Sequence, residues 1–118
     1  MPPEESVERE FLQAAVKRSQ LLQADEPKKA NKEYDELYRL KGQLRQFPDR
    51  GEAALKRIST TDDPDVQIVA AAALLALGEP LATVLLERIR DTRPGIPSLT
   101  AEMTLKEWKN GSIRNYWS

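Results

Sequence analysis

Residues 55–77 read LKRISTTDDPDVQIVAAAALLAL, and residues 86–108 read LERIRDTRPGIPSLTAEMTLKEW. Laid over each other, Leu55, Arg57 and Ile58 fall on Leu86, Arg88 and Ile89. Ala70 and Leu74 fall on Ala101 and Leu105, and Leu77 lies opposite Trp108. Every pair is 31 residues apart and no gap is needed. A repeat of this length is a helix pair that cannot bury its apolar face alone and stacks on a neighbour. The stretch therefore predicts an all-α chain built as a short helical-repeat stack, an architecture that chiefly presents a surface.

Inside the first copy, Asp63 is a good N-cap, Pro64 a good first helical residue, and Asp65 sits where the helix dipole favours negative charge. The helix from Pro64 to Leu77 is apolar on nearly every face after Gln67, so it belongs between other helices. Gly78 suits the left-handed residue that ends it. In the second copy, Pro80 is expected to open a helix with Leu81, Val84, Leu85 and Ile89 inward. Arg93 to Pro97 is an irregular connector. Ser98 is expected to cap a last helix carrying Ala101, Leu105 and Trp108 inward and closed by Gly111.

Upstream, helical spacing predicts three more helices. The first, about Glu5 to Ala24, has Ser6 as a candidate N-cap and Val7, Phe11, Ala14, Ala15, Leu21 and Leu22 on its apolar side. The second, about Lys28 to Gln46, carries Tyr34, Leu37, Leu40, Leu44 and Phe47 on one stripe. Gly42 lies within it and weakens it by about 1 kcal/mol relative to alanine, a loss that a close packing contact would explain. A turn at Pro48 to Gly51 leads to a short third helix, about Glu52 to Ser59. No stretch alternates long enough to form a strand. The expected organisation is six helices in a single domain over residues 1–118, with 112–118 as a short tail.

Composition narrows function by exclusion. The 118 residues hold 18 basic and 19 acidic side chains and no Cys or His. That removes thiol nucleophiles, Cys/His zinc sites, Ser-His-Asp triads and disulfides. Both parts of the chain are charge-balanced: residues 1–46 carry 9 basic and 9 acidic, residues 47–118 carry 9 and 10. A strong nucleic-acid binder needs a basic surface, so DNA and RNA are poor candidate partners. Met1 to Glu5 has neither the basic nor the apolar segment of a signal peptide. The longest apolar run, Ile68 to Leu77, is half of what a membrane span needs. The expected location is the cytoplasm. No glycine-rich phosphate loop occurs, and no cofactor, metal or catalytic residue is assigned.

Asp63-Pro64-Asp65-Val66, followed by Ala70-Ala71 and Leu74, resembles the start of the second helix of a HEAT-type repeat, with Gln67 where such repeats usually carry arginine. A wider set is similar to a family of small, uncharacterised bacterial HEAT-like domains: Tyr34, Leu37, Leu44, Pro48, Gly51, the Asp63–Val66 turn, Pro80 with Ala82, and the block Ala101 to Leu105 followed by Trp108 and Gly111. The resemblance spans about residues 30–113. It implies a HEAT-like, right-handed stack of about six helices and no catalytic residues. By analogy of fold it also implies a bacterial immunity or adaptor role.

Candidate sites each have a plainer structural explanation. Asp62, Asp63 and Asp65 make an acidic turn that capping largely explains, and they lack the spacing of an EF-hand loop. Arg88, Arg90 and Arg93 do not share a helix face, and the repeated Arg57/Arg88 suits an ion-pair partner or a snorkelling side chain. Tyr34 is placed in the core. Tyr38, offset toward Lys41 and Arg45, suits an interface hot spot. Ile113, Tyr116 and Trp117 either fold back over the last repeat or meet a partner.

The expected function is protein binding without catalysis, in its sharpest form an immunity protein that occludes a cognate toxin. The expected contact residues are Tyr38, Lys41, Arg45, Gln67, Glu102 and Lys106, on the second helix of each pair. A nucleic-acid-binding helical repeat and a self-associating scaffold or adaptor are the alternatives.

Overall fold

A computed structural model describes residues 4–111. Among them the chain forms six α-helices and no strand: α1 (Glu4–Gln23), α2 (Pro27–Leu44), α3 (Glu52–Ile58), α4 (Pro64–Ala76), α5 (Ala82–Thr92) and α6 (Ile96–Lys109). No described helix is long and apolar enough to cross a membrane. The chain divides into two compact units, one through Ala54 and one from Leu55 onward.

In the first unit α1 packs along α2. The core is Val7, Phe11, Ala14 and Ala15 from α1 with Ala30, Leu37, Leu40 and Leu44 from α2. Ser6 lies inside α1 and does not cap it. Helix α1 ends in a Schellman turn: the Glu26 amide donates to the Leu21 carbonyl at 2.9 Å and the Asp25 amide to Leu22 at 3.2 Å. Asp25 takes the left-handed position (φ 58°), which aspartate tolerates better than most residues. Pro27 then begins α2 where a missing amide costs nothing.

One correction falls in α2. Tyr34 is not core; its ring is partly exposed and the Arg18 guanidinium lies 5.6 Å from its centre. Gly42 has no close contact, since a Cβ there would meet nothing within 4 Å. By contrast a Cβ on Gly51, at φ +77°, would stand 2.8 Å from the Leu44 Cβ. Only glycine lets the turn close over the end of α2 at that point. The Asp49 carboxylate then accepts from the Gly51 amide at 3.0 Å, fixing the approach to α3.

In the second unit α4 packs against both α5 and α6, and these pack on each other. As its composition predicts, α4 is buried on most sides, through Val66, Ile68 and Ala70 to Leu75. Asp63 caps it, its carboxylate accepting from the Asp65 amide at 3.0 Å. The expected Schellman turn closes it: Glu79 donates to Leu74 and Gly78 to Leu75, both at 2.9 Å.

Helix α5 begins later than the sequence suggests. The amides of Ala82, Thr83 and Val84 bond to carbonyls three residues back, not four. This tighter first turn shifts the helix phase. The buried row becomes Ala82, Leu86 and Ile89, and Leu81 and Val84, expected inward, are exposed. Ser98 is also reassigned. Gly95 precedes α6 as its N-cap, and Ser98 lies within the helix. Its hydroxyl donates to the Arg90 carbonyl at 2.6 Å.

The 31-residue echo is visible in three dimensions. Leu55 and Leu86, Ile58 and Ile89, Ala70 and Ala101, and Leu74 and Leu105 are all buried. Leu77 and Trp108 are both half-buried. The same inter-helix link recurs as well: Gln67 Nε2 donates to the Ser59 carbonyl at 3.3 Å, and Ser98 Oγ donates to Arg90. Donors 67 and 98, and acceptors 59 and 90, are again 31 apart. In each pair a side chain on the second helix ties down the end of the first.

Candidate functional site

Helix α2 has two flanks of opposite character. Successive residues rotate by about 100°, so Ala30, Leu37, Leu40 and Leu44 form its buried centre. To one side lie Glu33 and Glu36, which with Glu10, Gln13, Ala14 and Lys17 of α1 line a shallow groove. Lys17 bridges to Glu33 at 3.2 Å. Glu36 holds Arg39 through a two-pronged contact, and that hydrogen bond keeps the Glu36 carboxyl below its ordinary range. To the other side lie Tyr34, Tyr38, Lys41 and Arg45, with no carboxylate in the row.

Tyr38 is 62% exposed. The Lys41 ammonium stands 4.2 Å from its ring centre, a close cation–π contact. Lys41 itself is buried, so of the expected contact residues it braces Tyr38 from beneath. Burial, and then the neighbouring Arg45 charge, push its pKa below the usual lysine range. Arg45 is exposed.

The other three expected contact residues belong to the second unit. Gln67 is half-buried and committed to the Ser59 carbonyl, so it positions α4. Glu102 and Lys106 face each other one turn apart at 3.8 Å on α6. Two of the three arginines hold carboxylates: Arg90 bonds Asp91 at 2.9 Å, and Arg93 reaches Asp62 at 3.0 Å. Asp62 is thereby engaged, and Asp63 is engaged by the amides at the start of α4. No group of acidic residues suited to a metal ion occurs among the described residues. Ile113, Tyr116 and Trp117 lie outside the described residues.

One surface escaped the sequence reading. Ile96, Leu99 and Met103, spaced 3 and 4 residues apart, form an exposed apolar row on α6. Their repeat mates show what such a row does inside the stack. Ile68, mate of Leu99, is 5% exposed against 57%, and Ala72, mate of Met103, is 8% against 55%. The signal was present, since apolar residues at i, i+3 and i+7 mark a helix face. It was overlooked because Ala101, Leu105 and Trp108 form a second stripe on the same helix. A smaller apolar groove lies among Lys56, Ser59, Leu74, Leu81, Ala82 and Leu85.

No family model, curated protein or solved structure matches this chain.

Proposed function

We propose that this chain is a non-catalytic protein-binding domain. The carrying observation is the exposed row Ile96, Leu99 and Met103 on α6, where the in-register counterparts of Leu99 and Met103 on α4, Ile68 and Ala72, are buried. An apolar row on a helix fixed by its neighbours gains binding free energy from burial and spends little on ordering. The lack of Cys and His, and the engagement of Asp63 in a cap and of Asp62 with Arg93, favour binding over chemistry. In the sharper form of this reading the domain is HEAT-like, acts in the bacterial cytoplasm, and serves as an immunity protein that occludes a toxin.

The test is capture with the tagged native chain and with a Leu99→Glu/Met103→Glu variant, followed by mass spectrometry. One stoichiometric partner, lost with the variant, is the expected result. Equal recovery by both would remove α6 as the binding face. The exposed row also favours a second reading, a self-associating scaffold. In that case the native chain has twice the solution mass of the variant and no other protein is recovered.

A further inference from the structure

We propose that the Tyr34–Tyr38–Arg45 flank of α2, with Arg18 at its edge, is a docking strip for an acidic segment of a partner protein. This rests on the protein-binding reading but concerns a different surface from the α6 row.

The first argument is segregation of charge on one helix pair. The Glu33 and Glu36 flank is acidic and internally satisfied, with Lys17 and Arg39 neutralising it. The opposite flank holds two rings and three cations, and none of its own residues is acidic. The second argument is the state of those cations. Arg39, Arg90 and Arg93 all hold carboxylates. Among the described residues Arg18 and Arg45 hold none, and Arg18 lies against the Tyr34 ring. Lys41 is packed under Tyr38 and close enough to Arg45 for the two charges to repel.

The third argument is the kind of surface. Tyr and Arg dominate interface hot spots because they bury large area at low entropic cost and add directional hydrogen bonds. Here Tyr38 is held by Lys41 from one side and open on the other. From Tyr34 to Arg45 the strip runs about 16 Å along the helix, the span of roughly five extended residues. A short acidic segment fits that length. A nucleic-acid backbone is disfavoured, because it is long and would continue past the strip onto a chain whose net charge is −1.

The probe is a short fluorescein-labelled peptide of alternating Glu and Gly, titrated with the full chain at low salt and read by anisotropy. Its Lys-Gly counterpart and labelled duplex DNA serve as comparisons. The native chain should bind the acidic peptide and not the basic one. Tyr38→Ala with Arg45→Glu should raise Kd at least about tenfold, the scale of a lost hot spot. Tyr38→Phe, which keeps the ring, should retain most of the affinity. Lys32→Glu changes the charge on the other side of α2, roughly 200° from Tyr34, and should change Kd less than about twofold. All these positions are exposed, and circular dichroism verifies folding of each variant. The proposal is overturned by absent binding, by equal affinity in native and double variant, by an equal loss in Lys32→Glu, or by DNA displacing the peptide from the strip. If the α6 capture succeeds while the peptide fails, this inference alone falls. If both fail, the protein-binding reading falls with it.

Discussion

Helices α4 and α6 occupy the same place in successive repeats yet meet opposite surroundings. Ile68 and Ala72 are buried; Leu99 and Met103 are open. The inward stripe is the same in both, since Ala70 and Leu74 match Ala101 and Leu105 in type and in burial. What changes is the face turned away from that stripe. In α4 it is small and apolar, through Ala72 and Leu75; in α6 the same positions hold Met103 and Lys106. A helix with neighbours on several sides has no room for a long or charged side chain there, whereas a helix left open on that side does. The contrast teaches that the inward stripe records the repeat and the other face records what covers it.

The sharpest way to break the comparison is to place one charge at each of two matching sites. Ile68→Glu should cost at least about 3 kcal/mol, because it leaves a charge unpaired in the core. Leu99→Glu should stay within about 0.5 kcal/mol. Urea unfolding measures both, and similar losses would mean that α6 is as enclosed as α4. Next in size are the two inter-helix links. Ser98→Ala should cost about 1 kcal/mol and Gln67→Ala about half of that, since the Ser98 bond is the shorter, 2.6 Å against 3.3 Å. A reversed order would show that α4 depends more on its link than α6 does. The smallest effect belongs to the Arg93–Asp62 bridge, which joins the connectors of the two pairs at the surface. Asp62→Asn should lower stability by less than about 0.5 kcal/mol, and the difference should shrink in high salt.

Much of this fold was legible because its signals are local. Asp63, Pro64 and Gly78 announce both ends of α4, and an all-apolar segment announces burial. The 31-residue spacing ties the two pairs together without further information. The misreadings arose where tertiary or turn geometry decided the outcome. Leu81 and Val84 fit a helical stripe only if α5 winds as an α-helix from Pro80, and its first turn is tighter than that. Tyr34 fits the apolar stripe by spacing, but lies at its margin with Arg18 against it. Ser98 looks like a cap because serine so often is one; its hydroxyl instead reaches across to α5. For Gly42 no packing reason exists in the structure. Gly42→Ala should therefore stabilise the chain by about 1 kcal/mol in thermal unfolding.

The candidate sites were less legible than the fold. The exposure of Tyr38 was recognisable from its offset to the apolar stripe. Burial of Lys41 was not, because spacing alone cannot say that a lysine is folded under the ring beside it. The capture of Gln67 by the Ser59 carbonyl was likewise invisible, since it depends on how closely α4 approaches the end of α3.

The open row on α6 has a consequence for motion. A helix covered on fewer sides opens with less free energy, so amide protection should fall from α4 to α6 along the second unit. A protein seated on Ile96, Leu99 and Met103 covers the face that is left open on α6. Its binding then adds to the opening free energy of α6 itself, and slowed hydrogen exchange across residues 96–109 would report occupancy even from a partner whose identity is unknown.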